Sequence, residues 1–409
     1  MDAMPRPRRR KDEPSRTVRA ANVRAHNREV VLRLVWSERE ISRAEVARRT
    51  SLSRSTVSNI VDELFETGLL RDAGAGQSMG GKPPKMMAFH DDVYGIIGVD
   101  LGATHLGVAL TNLRGHMVQH RQVDHDVRND PKGTIAKLTE LIRELVGDRP
   151  RTMTRVIGIG LAVPTPVDPA QPNTFSPRVL PKWRNVRLAE VLEAEFQVPV
   201  LADNDANLGA LAEHWWGAGR DGHDLAYLKL ATGIGCGLVL DGSIYRGARF
   251  LAGEMGHVSV DPNGPVCSCG QRGCLVTFVG TPAVLARAVS NGSVYADFPA
   301  LVAGAGNGEA VAIDVIAEAA SHLSIAIWNL VNVVNPATVV LGGTLALAKA
   351  RLSVPISSAL LSRHNWTSDA QTRIVVSELG DPGIALGAAT AVLQRALAYP
   401  EMFEAKLVA

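Results

Sequence analysis

Cysteine is scarce in this chain of 409 residues: there are four. Three of them fall between Cys267 and Cys274, too closely bunched for a disulfide framework and better suited to holding a metal. Uninterrupted apolar runs are missing as well. The most apolar region, around Ile325 to Val334, is broken by Asn329, Asn332 and Asn335, which argues against a membrane span. The charged N-terminus is followed by no apolar stretch of the kind a secretory signal needs, so a cytoplasmic protein is expected. An excess of one charge is also lacking, since 43 Lys+Arg face 41 Asp+Glu, and with 46% hydrophobic residues no global signature of disorder is present. A chain of this length is expected to form more than one folding unit.

The balanced total hides an asymmetry. Residues 1–90 carry 18 Lys+Arg against 11 Asp+Glu, hence +7, whereas residues 91–409 carry 25 against 30, hence −5. The basic end is the natural partner of a polyanion. Pro5, Pro7 and Pro14 among Arg and Lys make residues 1–19 read as a flexible basic arm. Beyond it, Val23, Val30, Val31, Leu34 and Val35 recur at helical spacing up to Trp36. Ser42 and Glu45 form the pattern of a capping box at the start of a second helix, which ends near Arg49.

A third helix follows the turn at Thr50 to Ser53, with Ser53 as its cap and Val57, Ile60, Val61, Leu64 and Phe65 facing inward. Its outward face begins with Arg54, Ser55, Thr56, Ser58 and Asn59. Short polar groups at the first turns of such a helix suit contact with base edges and phosphates in a major groove. After Gly68, Leu69 and Leu70 read as a short strand, and Gly74 to Lys85 as a glycine-rich wing with Lys82 and Lys85 at its tip. Residues 20–90 are thus expected to be a winged helix-turn-helix on double-stranded DNA, and a plain three-helix packing module is the alternative.

From residue 91 the pattern changes to alternating strands and helices. A strand at Ile96 to Val99 leads through Asp100, Gly102, Ala103 and Thr104 into a second strand, Leu106 to Leu110. A similar unit recurs where Ala226 to Leu230 leads through Ala231, Thr232, Gly233 and Gly235 to Leu238. Two such glycine hairpins can face each other across a cleft and offer backbone N–H groups to phosphate. Asp100 is placed to hold Mg2+, and Thr104 or Thr232 to donate to a phosphate of ATP. Thr338 to Leu341 followed by Gly342 and Gly343 supplies a third element, for the base and ribose.

The sharpest signal is His257 followed by Cys267, Cys269 and Cys274. Three thiolates and an imidazole suit tetrahedral Zn2+, and Gly270 and Gly273 permit the tight turns between them. With four protein ligands, such a metal is structural. Glu254 stands three residues before His257, so a bound metal would fix a carboxylate at a sugar pocket. Upstream, Asn204 can offer paired donor and acceptor groups to vicinal hydroxyls, and Asp205 stands where a general base for a sugar hydroxyl would act. Helix capping is the competing role for Asp203 and Asn204.

With these residues in hand, the chain resembles the ROK family (repressors, open reading frames and kinases) from about residue 22 to 395. The motifs DLGAT, LADNDAN, ATGIGCG, EMGH, CSCGQRGC and VVLGG and the winged helix carry the resemblance. It implies an α/β fold: a winged helix-turn-helix, then a duplicated ribonuclease-H-like, two-lobed effector domain of the actin and hexokinase type over residues 91–409, with a zinc knuckle at 257–274. It also implies a sugar held by Asn204, Asp205, Glu254 and His257, zinc on His257, Cys267, Cys269 and Cys274, and a homodimer or homotetramer. The chain departs from the kinase pattern at Ala103, Ala231, Thr165 and Val276. The first two put a methyl group where a glycine meets phosphate, and Val276 replaces a sugar-binding glutamate. A sugar-responsive repressor of carbohydrate-metabolism genes is therefore expected, its effector a sugar or sugar phosphate. The alternatives are an ATP-dependent sugar kinase that also binds DNA, with Asp205 as base, and a regulator answering to a protein partner.

Overall fold

The computed structural model describes residues 16–77, 83–173, 175–220, 222, 224–363 and 372–404, with side chains from residue 22 onward. Two compact units emerge: the first comprises Met1–Val93 with Gln394–Lys406, and the second is built on Tyr94–Leu393. The segment from Gln394, expected in the effector domain, therefore groups with the first unit.

In the first unit, α1 (Arg16–Ser37), β1 (Ile41–Ser42), α2 (Arg43–Thr50), α3 (Arg54–Glu66), β2 (Leu70–Ala75) and β3 (Lys85–Phe89) follow one another. Helix α1 begins inside the segment expected to be a flexible arm, because no proline follows Pro14 to stop it. The strands form a small sheet in the order β1-β3-β2. Ser42 caps α2 by accepting the Glu45 N–H, but the Glu45 carboxylate turns to Arg48, so only half of the expected capping box forms. Ser53 caps α3 by accepting the Thr56 N–H, and Val57, Ile60, Val61 and Leu64 bury one face of that helix.

The second unit contains two sheets of the same topology. The first holds β4 (Tyr94–Leu101), β5 (His105–Thr111), β6 (Met117–Asp124), β7 (Arg155–Val163) and β8 (Val200–Asn204), with α4 (Pro131–Gly147) and α5 (Leu188–Phe196) between strands and α6 (Asp205–Trp216) after them. The second holds β9 (Leu225–Leu230), β10 (Ile234–Leu240), β11 (Ser243–Ile244), β12 (Thr338–Gly342) and β13 (Arg373–Val376). Helices α7 (Val276–Val279), α8 (Thr281–Ser290), α9 (Phe298–Gly306), α10 (Ala310–Val334) and α11 (Ala350–Arg363) fill its crossovers, and α12 (Gly383–Ala398) follows it. The strand orders, β6-β5-β4-β7-β8 and β11-β10-β9-β12-β13, are equivalent, each with three antiparallel strands followed by two parallel ones. The duplication expected from the two glycine hairpins is thus present in the whole topology.

The helices that end the two repeats are exchanged. A β-carbon at Gly98 of β4 or Gly160 of β7 would fall on the Ala385 or Ala388 carbonyl of α12, and one at Gly237 of β10 on the Ala206 carbonyl of α6. So α12 lies on the first sheet and α6 on the second, at a distance only glycine permits. The two helices cross where Gly387 meets the Leu208 carbonyl.

Each sheet has its own apolar core, one including Ile97, Leu106, Leu138, Ile159 and Trp183, the other Leu228, Leu275, Leu323, Ile327 and Leu341. Helix α10 is long and apolar enough to cross a bilayer by length and composition. Its Ala312, Val315, Ile316, Ala319, Leu323 and Ile327 are spent on the second core, which explains its hydropathy without a membrane.

Candidate functional site

Strand β4 runs two residues past the expected end at Val99, because Asp100 is paired on both sides, with Gly107 of β5 and Ala162 of β7. That places the Asp100 side chain in a buried position, within reach of the charge of Lys229 on β9 of the second sheet. Its Oδ2 meets His105 Nε2 at 3.2 Å, while its Oδ1 has no hydrogen-bond partner. Burial by itself raises this carboxyl; the hydrogen bond from His105 and the positive Lys229 outweigh it and hold Asp100 below the usual range. The imidazole of His105 lies over Gly102, in the space a side chain there would take. Thr104 is exposed beside it.

Asn204 ends β8 and Asp205 opens α6. The Asn204 side-chain Oδ1 accepts the N–H groups of Ala206 and Asn207, at 3.0 and 3.3 Å. The capping role therefore claims the acceptor once read as free for a sugar, and the amide NH2 is what Asn204 can offer a hydroxyl. Asp203 is buried, accepts from Asn207 Nδ2 at 3.0 Å, and is paired with Arg246. Asp205 is buried too, and one of its oxygens carries the ammonium of Lys229. Lys229 and Arg246 escaped the sequence reading because they sit 24 and 43 positions from their partners and outside every quoted motif. Only the rarity of a lysine near the end of an apolar strand, LAYLKL, hinted at the first.

The remaining glycines separate by role. Gly233 has open space around it, in the β9–β10 turn beside the exposed Thr232. Gly235 is accounted for by the Ala206 side chain 3.0 Å from where its own β-carbon would be, which makes it a helix-packing residue. Gly342 abuts the Tyr227 ring, and Gly343, at φ +81°, turns the chain out of β12 against the Leu230 backbone. Thr165, in the loop after β7, is fully buried and its hydroxyl has no partner.

His257, Cys267, Cys269 and Cys274 converge as their spacing suggested: one donor atom from each lies within 4.8 Å of the others. Cys267 Sγ is 3.6 Å from His257 Nδ1, and Cys269 Sγ is 3.5 Å from Cys274 Sγ. Gly270 and Gly273 take positive φ, and a β-carbon on Gly273 would meet the Asp261 carbonyl, so the tight return is open only to glycine. Burial and the neighbouring sulfurs push the Cys274 thiol up to about 12. Several thiolates gathered there need a cation to balance them, which is the chemistry a metal ion supplies. Glu254 is partly exposed, and its carboxyl is drawn upward, first by desolvation, with His257 opposing the rise and Asp205 adding to it.

In the first unit, Arg54, Ser55 and Asn59 are exposed on α3, and Thr56 and Ser58 are half-buried. Ser58 accepts from Arg43 at 2.8 Å, which ties it to α2. Lys85 opens β3 opposite Ala75 and so belongs to the strand, because the antiparallel ladder extends up to it; Lys82 lies outside the described residues.

The ROK family profile matches residues 96–395. The chain belongs to the ROK family. The xylose repressor of Caldicellulosiruptor bescii is 32% identical over 394 residues, 92% of this chain and 97% of that protein. The glucokinase of Halalkalibacterium halodurans is 31% identical over 276 residues, 64% of this chain and 83% of its own. A crystal structure of a ROK family transcriptional regulator, a homolog of the E. coli MLC protein, matches with a TM-score of 0.77 at 24% identity, covering 94% of this chain and 100% of that one. That likeness shows a shared fold over nearly the whole chain.

Proposed function

We propose that this chain is a sugar-responsive transcriptional repressor of carbohydrate-metabolism genes. The observation that carries the reading is the length of the repressor match: it runs over 92% of the chain, whereas the glucokinase match stops at 64%. The difference is made by a unit in which α3 presents Arg54, Ser55 and Asn59 to solvent from a capped N-terminus, the geometry that enters a major groove. In the second unit Asn204, Asp205, Glu254 and His257 form the sugar pocket, and zinc on His257, Cys267, Cys269 and Cys274 steadies Glu254 and the His257 ring. The protein acts in the cytoplasm as a homodimer or homotetramer on an operator with two half-sites.

A sugar changes DNA affinity if it binds the DNA-competent and DNA-incompetent states unequally; a tenfold change needs about 1.4 kcal/mol of difference. The test is fluorescence anisotropy on the DNA upstream of the gene, at fixed salt, titrated with sugars and sugar phosphates. Specific binding shifted by one sugar supports the reading; binding no tighter than to a scrambled duplex, with or without every sugar, overturns it.

A further inference from the structure

The ROK fold is also a kinase fold, and a kinase needs two free carboxylates in this cleft: one at Asp100 for Mg2+ and one at Asp205 to receive the hydroxyl proton. Here each is already engaged on one oxygen, and the buried Oδ1 of Asp100 is without a hydrogen-bond partner. The Lys229 ammonium is hydrogen-bonded to Asp205, with the two side chains only 15% and 8% exposed. His105 holds Asp100 and fills the space over Gly102 where a phosphate oxygen would approach the backbone. Mg2+ with ATP therefore does not fit the residues present.

We propose that Lys229 is a resident counter-ion that stands in the cleft in place of a divalent cation, so that the pocket binds its sugar without nucleotide and without phosphoryl transfer. Lys229 projects from β9, the strand that in this fold leads into the second glycine hairpin, and its charge acts on both Asp205 and Asp100. The two carboxylates belong to different elements, β4 and the start of α6, and the one buried ammonium offsets the charge of both. Both anions hold Lys229 above the usual lysine value despite its burial, so it stays charged at neutral pH. It also occupies one of the two Asp205 oxygens that could receive a hydroxyl proton. Asp205 is left as a fixed acceptor for sugar hydroxyls, a binding group and not a base.

This inference rests on the cleft being an effector pocket, and its test is separable from that reading. Mn2+ binding, followed by electron paramagnetic resonance, is measured on the full chain, on Asp100→Asn, on Lys229→Met and on Lys229→Met/Asp100→Asn, alongside ADP release with ATP and a sugar panel. The wild type is expected to show no Mn2+ site that Asp100→Asn removes, and no ADP release. Lys229→Met is expected to gain a Mn2+ site at least about tenfold tighter, lost again in the double variant. Mn2+ bound by the wild type at a site that Asp100→Asn abolishes, or sugar-dependent ADP release by the wild type, overturns the proposal. So does a folded Lys229→Met with wild-type Mn2+ affinity. If Lys229→Met does not fold, the comparison of wild type with Asp100→Asn decides alone. Absence of any sugar effect on DNA binding, with the Mn2+ results as expected, would refute the repressor reading and leave the counter-ion standing.

Discussion

The Arg246 guanidinium donates two hydrogen bonds, of 2.9 and 2.5 Å, to one carboxylate oxygen of Asp203. Asp203 lies near the end of β8, in the first sheet; Arg246 follows β11, in the second. This pair joins the lobes directly beside Asn204 and Asp205. Removing the cation leaves a buried carboxylate with the Asn207 amide and the Asn204 N–H as its hydrogen-bond donors. Arg246→Ala is expected to lower stability by about 2 kcal/mol, the range for a lost charged hydrogen bond, since Arg246 itself is partly exposed. Urea denaturation checks this, and the sugar concentration for half-response should rise with it.

Cys269→Ser is expected to remove the metal. Mass spectrometry of the native protein should find one zinc per wild-type chain and none in the variant. If zinc holds Glu254 and the shared ligand His257 in the sugar pocket as proposed, the sugar concentration for half-response should rise by about tenfold or more. DNA affinity without sugar should stay close to wild type, as α3 belongs to the other unit. Undiminished zinc content in the variant would contradict the ligand assignment.

On the DNA side, Arg54→Ala and Asn59→Ala should act differently if one residue meets phosphate and the other a base. Loss of a phosphate contact at Arg54 weakens all sequences alike and reduces the salt slope of binding by about 0.9. Loss of a base contact at Asn59 costs about 1–3 kcal/mol on the operator alone. Ser53→Ala, which deletes the α3 cap, is expected to destabilise the unit by about 1 kcal/mol. Anisotropy at several salt concentrations separates the first two, and thermal melting reads the third.

Acid and alkali should each undo the cleft. Asp100 has its carboxyl held below the ordinary value in the folded state, so the stability it contributes is present above about pH 4 and is lost as pH falls further. Lys229 is held above its ordinary value, so its contribution is present at neutral pH and is lost only as pH rises past about 10.4. Asp100→Asn should flatten the acid limb of melting temperature against pH, and Lys229→Met the alkaline limb. An unchanged profile in both would show that these charges are not coupled to folding.

Much of this protein was legible in its order of residues. The caps at Ser42 and Ser53, the apolar spacing of α3 and the cluster of His257 with three cysteines act over a few positions, so local pattern specifies them. The two glycine hairpins announced a duplicated sheet for the same reason. What only the tertiary structure decided is who faces whom across long stretches of chain. Gly98 and Gly160 had no reading until the exchanged helix α12 was laid on them, and Gly235 and Gly237 changed from members of a glycine hairpin facing phosphate to packing positions against α6. Lys229 and Arg246 meet Asp205 and Asp203 from 24 and 43 residues away. Such pairings depend on how two sheets stack, and electrostatic partnership in a buried cleft is set by that distance in space, which no local pattern encodes.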